Sequence, residues 1–144
     1  MNLSVQQRAY IAGFLDGDGS IYVRAKPNNS YRFDYQIAPS IILFQSEKSE
    51  DALRRLHGMI NLGYIRKRKD GILELTINKM AEIKEFLLIV EPFSIFKKKQ
   101  ISLMKKILSL KEKVENEKDF QSLLALVDSY RELNYSKKRK KICP

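Results

Sequence analysis

This chain is nearly empty of soft metal ligands and of the residues that staple secreted domains. Its one cysteine, Cys143, stands next to the C-terminus, which excludes a disulfide framework and a cysteine-rich metal cluster. Its one histidine, His57, falls beside Leu53, Leu56 and Ile60 on an expected helix. Alone it forms no zinc site, and a structural or surface role is expected. No apolar run reaches the ~18 residues of a membrane span, so no membrane partner is expected. Met1-Asn2-Leu3-Ser4 is polar and leads straight into a helix, unlike a secretory signal; an intracellular or intra-organellar protein is expected.

What the chain does carry is apolar content and positive charge. Its 144 residues, 44% of them hydrophobic, suit a single domain over 1–144 with a substantial core and argue against disorder. Lys and Arg outnumber Asp and Glu 27 to 17, a net +10, which suits a polyanionic partner. A ribosomal protein or an anionic-membrane binder would share that charge, so charge alone does not name the partner.

The hydrophobic spacing predicts α-ββ-α-ββ-α followed by further helices. Ser4 and Gln7 form a capping box that opens a helix over about 5–16. Residues 20–26 alternate, with Ile21, Val23 and Ala25 on one face. A turn cluster at Pro27-Asn28-Asn29-Ser30 leads to a second strand over about 32–44, where Pro39 calls for a bulge or an unpaired edge. A helix over about 47–61 should turn Ala52, Leu53, Leu56, Met59 and Ile60 inward. Asp70-Gly71 marks a hairpin of 64–68 and 72–78, with Ile65, Leu73, Leu75 and Ile77 on its core face. Helices are expected over 80–90, over about 94–110 and from near Asp119. The fold class is therefore α+β. An αββαββα core spans about 5–110, with a four-stranded antiparallel sheet whose helices lie on one face, and a C-terminal helical and basic segment spans about 111–144.

The uncovered face of that sheet, with its turns, carries Tyr22, Arg24, Lys26, Asn28, Ser30, Tyr31, Arg32, Gln36, Ser40, Arg66, Arg68, Glu74 and Thr76. Arg suits guanine edges, and Gln or Asn suits adenine. A plain solvated face would also be polar, but the excess of cations over Asp34 and Glu74 favours DNA contact. Lys137, Arg139 and Lys140, in the closing basic run, suit phosphate contacts that add affinity rather than sequence choice.

The densest signal is Tyr10 to Gly19. Ala9, Ala12, Gly13 and Asp16 fall at i, i+3, i+4 and i+7, a stripe with so little bulk that another helix can approach closely. Gly17 is expected to stop the helix through a left-handed or close-approach backbone. Asp18 then stands just past the helix end, where the macrodipole disfavours a carboxylate. An acid held there invites a divalent cation such as Mg²⁺, which prefers oxygen donors. A small-residue helix pair ending in a solvated Asp is the plainer reading of the same ten residues.

Ile11-Ala12-Gly13-Phe14-Leu15-Asp16-Gly17-Asp18-Gly19, continued by Ser20-Ile21, resembles the signature of the LAGLIDADG homing endonucleases. The element order over about 5–110 is similar to theirs. The resemblance implies a saddle-shaped sheet on the major groove of double-stranded DNA and a site-specific endonuclease that hydrolyses phosphodiesters with divalent metal. It implies Mg²⁺, with Mn²⁺ or Ca²⁺ able to substitute for binding, and no organic cofactor. With one motif in the chain, it implies a homodimer and a long, near-palindromic target; Ala9, Ala12, Gly13 and Asp16 would then line the dimer interface.

The resemblance also implies roles. Asp18 would be metal ligand and catalytic residue, and the Gly17 carbonyl a further metal ligand. Gln45 would organise water around the scissile phosphate. Lys97 would help activate water or stabilise the pentavalent phosphate, with Lys98 as the fallback in a run of three lysines. One departure stands out: relatives carry a basic residue shortly after the glutamine, and Ser46-Glu47-Lys48-Ser49-Glu50-Asp51 offers only Lys48. The expected setting is an organelle (chloroplast or mitochondrion) or a prokaryotic cytoplasm. An RNA maturase assisting group I intron splicing uses the same scaffold and is the alternative.

Overall fold

Helix α1 (Val5–Asp18) opens on a reciprocal cap: Ser4 Oγ accepts from Gln7 N at 3.1 Å while Gln7 Oε1 accepts from Ser4 N at 2.9 Å. The computed structural model describes residues 2–134. After α1 come β1 (Gly19–Pro27), β2 (Tyr35–Ser46), a 3₁₀ turn (Glu47–Ser49), α2 (Glu50–Ile60), β3 (Tyr64–Lys67) and β4 (Ile72–Ile77). Three helices close the described chain: α3 (Met80–Val90), α4 (Lys98–Lys113) and α5 (Glu117–Leu133). The strands form one sheet in the order β1-β2-β4-β3, so the expected α+β class with a four-stranded antiparallel sheet is the one found. Among the described residues no helix is long and apolar enough to cross a membrane.

The described residues fall into two compact units, 2–21 with 40–98 and 22–39 with 99–134. In the first unit, β2 pairs with β4 from Ile41↔Ile77 to Ser46↔Ile72, and β3 pairs with β4 from Tyr64↔Thr76 to Lys67↔Leu73. Residues directly opposite one another share a face. One face therefore carries Ile41, Leu43, Leu73, Leu75 and Ile77, all buried. This unit's helices contribute Ile11, Ala12 and Leu15 from α1, Leu53, Leu56 and Ile60 from α2, and Ile83, Phe86, Leu87 and Val90 from α3. Helix α2 packs on β3 and β4, and α1 packs on α3. Arg8 locks the latter pair, its Nε donating to Ile89 O at 3.2 Å and its Nη2 to Leu88 O at 3.0 Å. A cation at the carbonyl end of α3 also suits the helix dipole.

The second unit holds the β1–β2 hairpin end with α4 and α5. Asn28 N donates to Asp34 O at 2.7 Å to close the connection, with Asp34 at φ 67°. Val23 and Ile37 are buried, as are Ile101, Met104, Ile107 and Leu108 of α4 and Leu123, Leu124 and Val127 of α5. Phe120 stacks on Phe33 with ring centroids 5.0 Å apart.

Helices α2 and α4 start later than the sequence expectation. Helix α2 starts at Glu50 after its 3₁₀ turn and leaves Ala52 exposed, because its buried stripe centres on Leu53, Leu56 and Ile60. Helix α4 starts at Lys98 rather than near residue 94, because residues 94–97 are held by contacts to α1. Pro39 lies within β2 but short of the β4 pairing, which begins only at Ile41, so toward β4 it occupies the unpaired edge that the sequence calls for.

Candidate active site and nucleic-acid interface

Helix α1 does not stop at Gly17. It runs through Gly17 to Asp18, and Gly19 caps it with extended φ −113° while its N–H donates to Leu15 O. The close approach expected at Gly17 occurs two residues later. A Cβ on Gly19 would sit 2.7 Å from Leu15 O and 2.9 Å from Leu15 Cα, whereas one on Gly17 would meet nothing within 4 Å. Asp18 is thus the last residue of α1, exposed, at the helix end where a negative side chain is least favourable. Gly17 lies among the last four residues, whose carbonyls lack a partner within the helix. A carboxylate beside the main-chain carbonyls of a helix end is an all-oxygen donor set that fits a hard divalent cation. Among the described residues no group of three or more His, Cys, Asp or Glu side chains converges, so one chain supplies one such carboxylate.

Asp16 points into its own chain. Its Oδ1 accepts from Ser94 Oγ at 2.6 Å, and its Oδ2 accepts from Ile95 N at 2.7 Å and Phe96 N at 3.1 Å. Partial burial opposes ionisation, but these three donors and nearby Lys97 outweigh it and hold the carboxyl below its ordinary pKa. Ser94 is fully buried, and Lys97 N reaches back to Ser94 Oγ at 3.4 Å. Lys97 is half-buried, whereas Lys98 and Lys99 are exposed. Asp16 is therefore an anchor for the loop that carries Lys97. The dimer-interface expectation is corrected at Ala12, which is fully buried beside Ile11 and Leu15, whereas Asp16 is bonded within its own chain and half-buried. Ala9 and Gly13 remain exposed, next to exposed Tyr10.

The Asp16 anchor has a measurable signature. Because its folded pKa is lowered, its contribution to stability is present above the ordinary carboxylate value and is lost as pH falls through the folded one. Asp16→Asn is expected to destabilise the fold by about 1–3 kcal/mol at neutral pH. The gap from the parent protein should narrow below about pH 4. Denaturant titrations across pH 3–7 check this; a gap constant with pH refutes the assignment.

Gln45 shares its row with Leu73 and Lys67, on the same face as Leu43 and Leu75 rather than the opposite one. Its Oε1 accepts from Ser46 N at 3.0 Å, which leaves the amide N–H groups to donate. Lys48, the one basic candidate after it, is exposed, with its N–H donating to Ser46 Oγ at 3.2 Å. Two of the acids around it pair with Lys67: Glu47 and Glu50 lie 3.4 and 3.6 Å from its Nζ. His57 is structural, its Nε2 within hydrogen-bond distance of Gly63 O at 2.9 Å.

The opposite face of β2, β4 and β3 carries the base-reading candidates of the first unit, and the structure sorts them. Arg66 is exposed and lies 3.3 Å from Glu74, whose side chain is only 12% exposed. Arg68 leaves the strand and joins the turn, its Nη2 bonded to Asp70 Oδ2 at 2.6 Å. Ser40 and Thr76 are corrected: at 7% and 8% exposure they are buried and offer little to a ligand. Thr76 stands between Ile42 and Tyr64 in the centre of the sheet, where neighbours cover it from both sides.

In the second unit, Arg24, Lys26, Tyr31 and Arg32 are exposed, and Tyr22 and Gln36 are half-buried. The Arg24 guanidinium lies 5.3 Å from the Tyr22 ring centroid. Asn28 is committed locally, its Oδ1 accepting from Ser30 N at 3.0 Å and Ser30 Oγ at 2.6 Å. Lys137, Arg139 and Lys140 lie outside the described residues.

Sequence reasoning missed two groups. Ser94 carries no local signal, since its partner is 78 positions away in the chain. Ile42 and Phe44, which share the face of Thr76 and Glu74, did have one: the run Ile41-Ile42-Leu43-Phe44 breaks the alternation of a half-solvated strand.

Comparison with known proteins meets this geometry. The model of the LAGLIDADG endonuclease family matches residues 11–108. DNA endonuclease I-CreI of Chlamydomonas reinhardtii is 35% identical over 132 residues, covering 91% of this chain and 80% of that protein. DNA endonuclease I-CvuI of Chlorella vulgaris is 30% identical over 134 residues, covering 91% and 81%. A crystal structure of I-CvuI in complex with the I-CreI target, in 2 mM Mg and with the DNA not cleaved, superposes with a TM-score of 0.88 at 26% identity over 94% of this chain and 86% of that one. I-CvuI with its own target in 2 mM Ca gives 0.87 at the same identity and coverage. A signature that ends α1 on Asp18, an αββαββα order and two curated relatives agree: the chain belongs to the LAGLIDADG endonuclease family.

Proposed function

We propose that this chain is a site-specific, divalent-metal-dependent DNA endonuclease acting as a homodimer on a long, near-palindromic duplex. One observation carries the reading: Asp18, inside the family signature, is exposed at the helix end where folding gains nothing from an acid. A single such carboxylate is half of a centre, and a second copy would bring the other. Exposed Ala9 and Gly13 leave α1 smooth enough for that approach.

Asp18 and the Gly17 carbonyl would hold the ion, and Mg²⁺ is the proposed resident. When bound, it supplies Lewis acidity to the phosphate and lowers the pKa of attacking water. The chain's remaining groups shape the surroundings. Gln45, with its carbonyl oxygen already engaged by Ser46, donates its amide N–H groups to water beside the phosphate. Lys97 sets a positive charge there, and the Asp16–Ser94 anchor fixes the loop that bears it. Arg66 and Arg68 of the first unit, and Tyr22, Arg24, Lys26, Arg32 and Gln36 of the second, contact the duplex, with Lys137, Arg139 and Lys140 on phosphates.

Selection of cleaved sequences from a random duplex library in Mg²⁺ tests the activity. A recovered near-palindrome is the expected result; intact DNA together with assisted splicing of an intron would favour the maturase instead. Gly13→Leu tests the assembly. A Cβ at Gly13 meets nothing within 4 Å inside the protomer, so the variant should keep its fold and lose its dimer. Light scattering that still reports a dimer would refute the seam.

A further inference from the structure

The face opposite the first unit's helices is not uniformly polar. Its rows, read across β2, β4 and β3, are Ile42–Thr76–Tyr64 and Phe44–Glu74–Arg66, followed by Ser46 opposite Ile72. A strand with one solvated face should place polar residues at 42 and 44. Instead β2 places buried Ile42 and half-buried Phe44 in adjacent rows, so Phe44 is the apolar side chain of the two that a ligand can reach. Beside Phe44, Glu74 lies 3.3 Å from Arg66 Nε, and the Arg66 side chain is 66% exposed. An apolar surface next to an oriented arginine has a specific counterpart in the major groove. The thymine 5-methyl group is the one apolar feature a base pair presents there, and Arg pairs with guanine O6 and N7.

We infer that Phe44, backed by Ile42, is a thymine-methyl reader that makes each half-site require a thymine within about three base pairs of the guanine contacted by Arg66. This rests on the endonuclease reading above and deepens it. Phe44 and Arg66 flank Glu74 in one row, two strand spacings or ~9–10 Å apart, so their contacts fall within about three base steps.

The test replaces thymine by deoxyuridine, one position at a time, in the duplex recovered by cleavage selection. This removes a methyl group and leaves every hydrogen-bonding edge intact. Loss of one buried methyl contact should weaken binding about fourfold in one half-site and about 15-fold in both. The same substitution should cost nothing when the protein carries Phe44→Ala, with Phe44→Leu as a folded variant that keeps part of the penalty. 5-Methylcytosine at that position should bind better than cytosine.

If no duplex is bound or cleaved, the endonuclease reading itself fails. If cleavage proceeds but no uridine substitution matters, if the penalty persists in both Phe44 variants, or if the recovered half-site lacks thymine, the methyl reader is overturned and the endonuclease reading stands.

Discussion

Asp18→Asn should abolish DNA cleavage, by at least about a thousandfold, while leaving duplex binding and the fold intact. Carboxylate and amide are nearly isosteric, so nothing in packing changes at this exposed position. The amide, however, loses the negative charge that attracts a divalent ion. The same charge sits at the unfavourable end of α1, so its removal should stabilise the protein, by on the order of 0.5 kcal/mol. Activity falling while stability rises is the pattern of a residue kept for chemistry. Cleavage assays in Mg²⁺, gel-shift titrations in Ca²⁺ and thermal melts of the two proteins check it. A variant that melts lower than the parent and no longer binds DNA would make Asp18 a structural residue.

Gly63→Ala should be the most destabilising single-methyl change in the first unit. Gly63 joins α2 to β3 at φ +75°, a conformation that costs L side chains about 1 kcal/mol. Strain is the smaller part. A Cβ there would be driven into the main-chain carbonyl of Thr76 and would lie 2.8 Å from Ile77 Cγ1. Backbone in a central strand cannot step aside as a flexible side chain can, so the loop must move. Moving it also loosens the contact of Gly63 O with His57 Nε2. We expect a loss of about 2–4 kcal/mol and a fall in Tm on the order of 10 °C. Urea midpoints equal to those of the parent protein would refute it.

How much of this was legible in the sequence depended on distance along the chain. The capping box at Ser4 and Gln7, the Asp70-Gly71 turn and the end of α3 before Glu91-Pro92 are set by neighbours within four positions, and each was found where expected. Asp16 and Asp18 look alike in sequence, two acids set among glycines. Only the fold separates them, because Ser94 Oγ and two backbone N–H groups reach Asp16 and leave Asp18 exposed. Ala12 and Gly13 are a similar case: adjacent small residues on one helix, one buried and one exposed, divided by the side of α1 that packs inward, where α3 lies against it.

The sequence by itself determined the class and order of the elements, the family and the acid at the end of α1, because periodicity, caps and a nine-residue signature are local. The tertiary structure decided which of two acids is free, which of three lysines is half-buried beside an anchor, and which face of β2 carries an apolar strip. Those outcomes depend on hydrogen bonds and pairings between residues some thirty to eighty positions apart, and local propensity holds no record of a partner that only folding brings near.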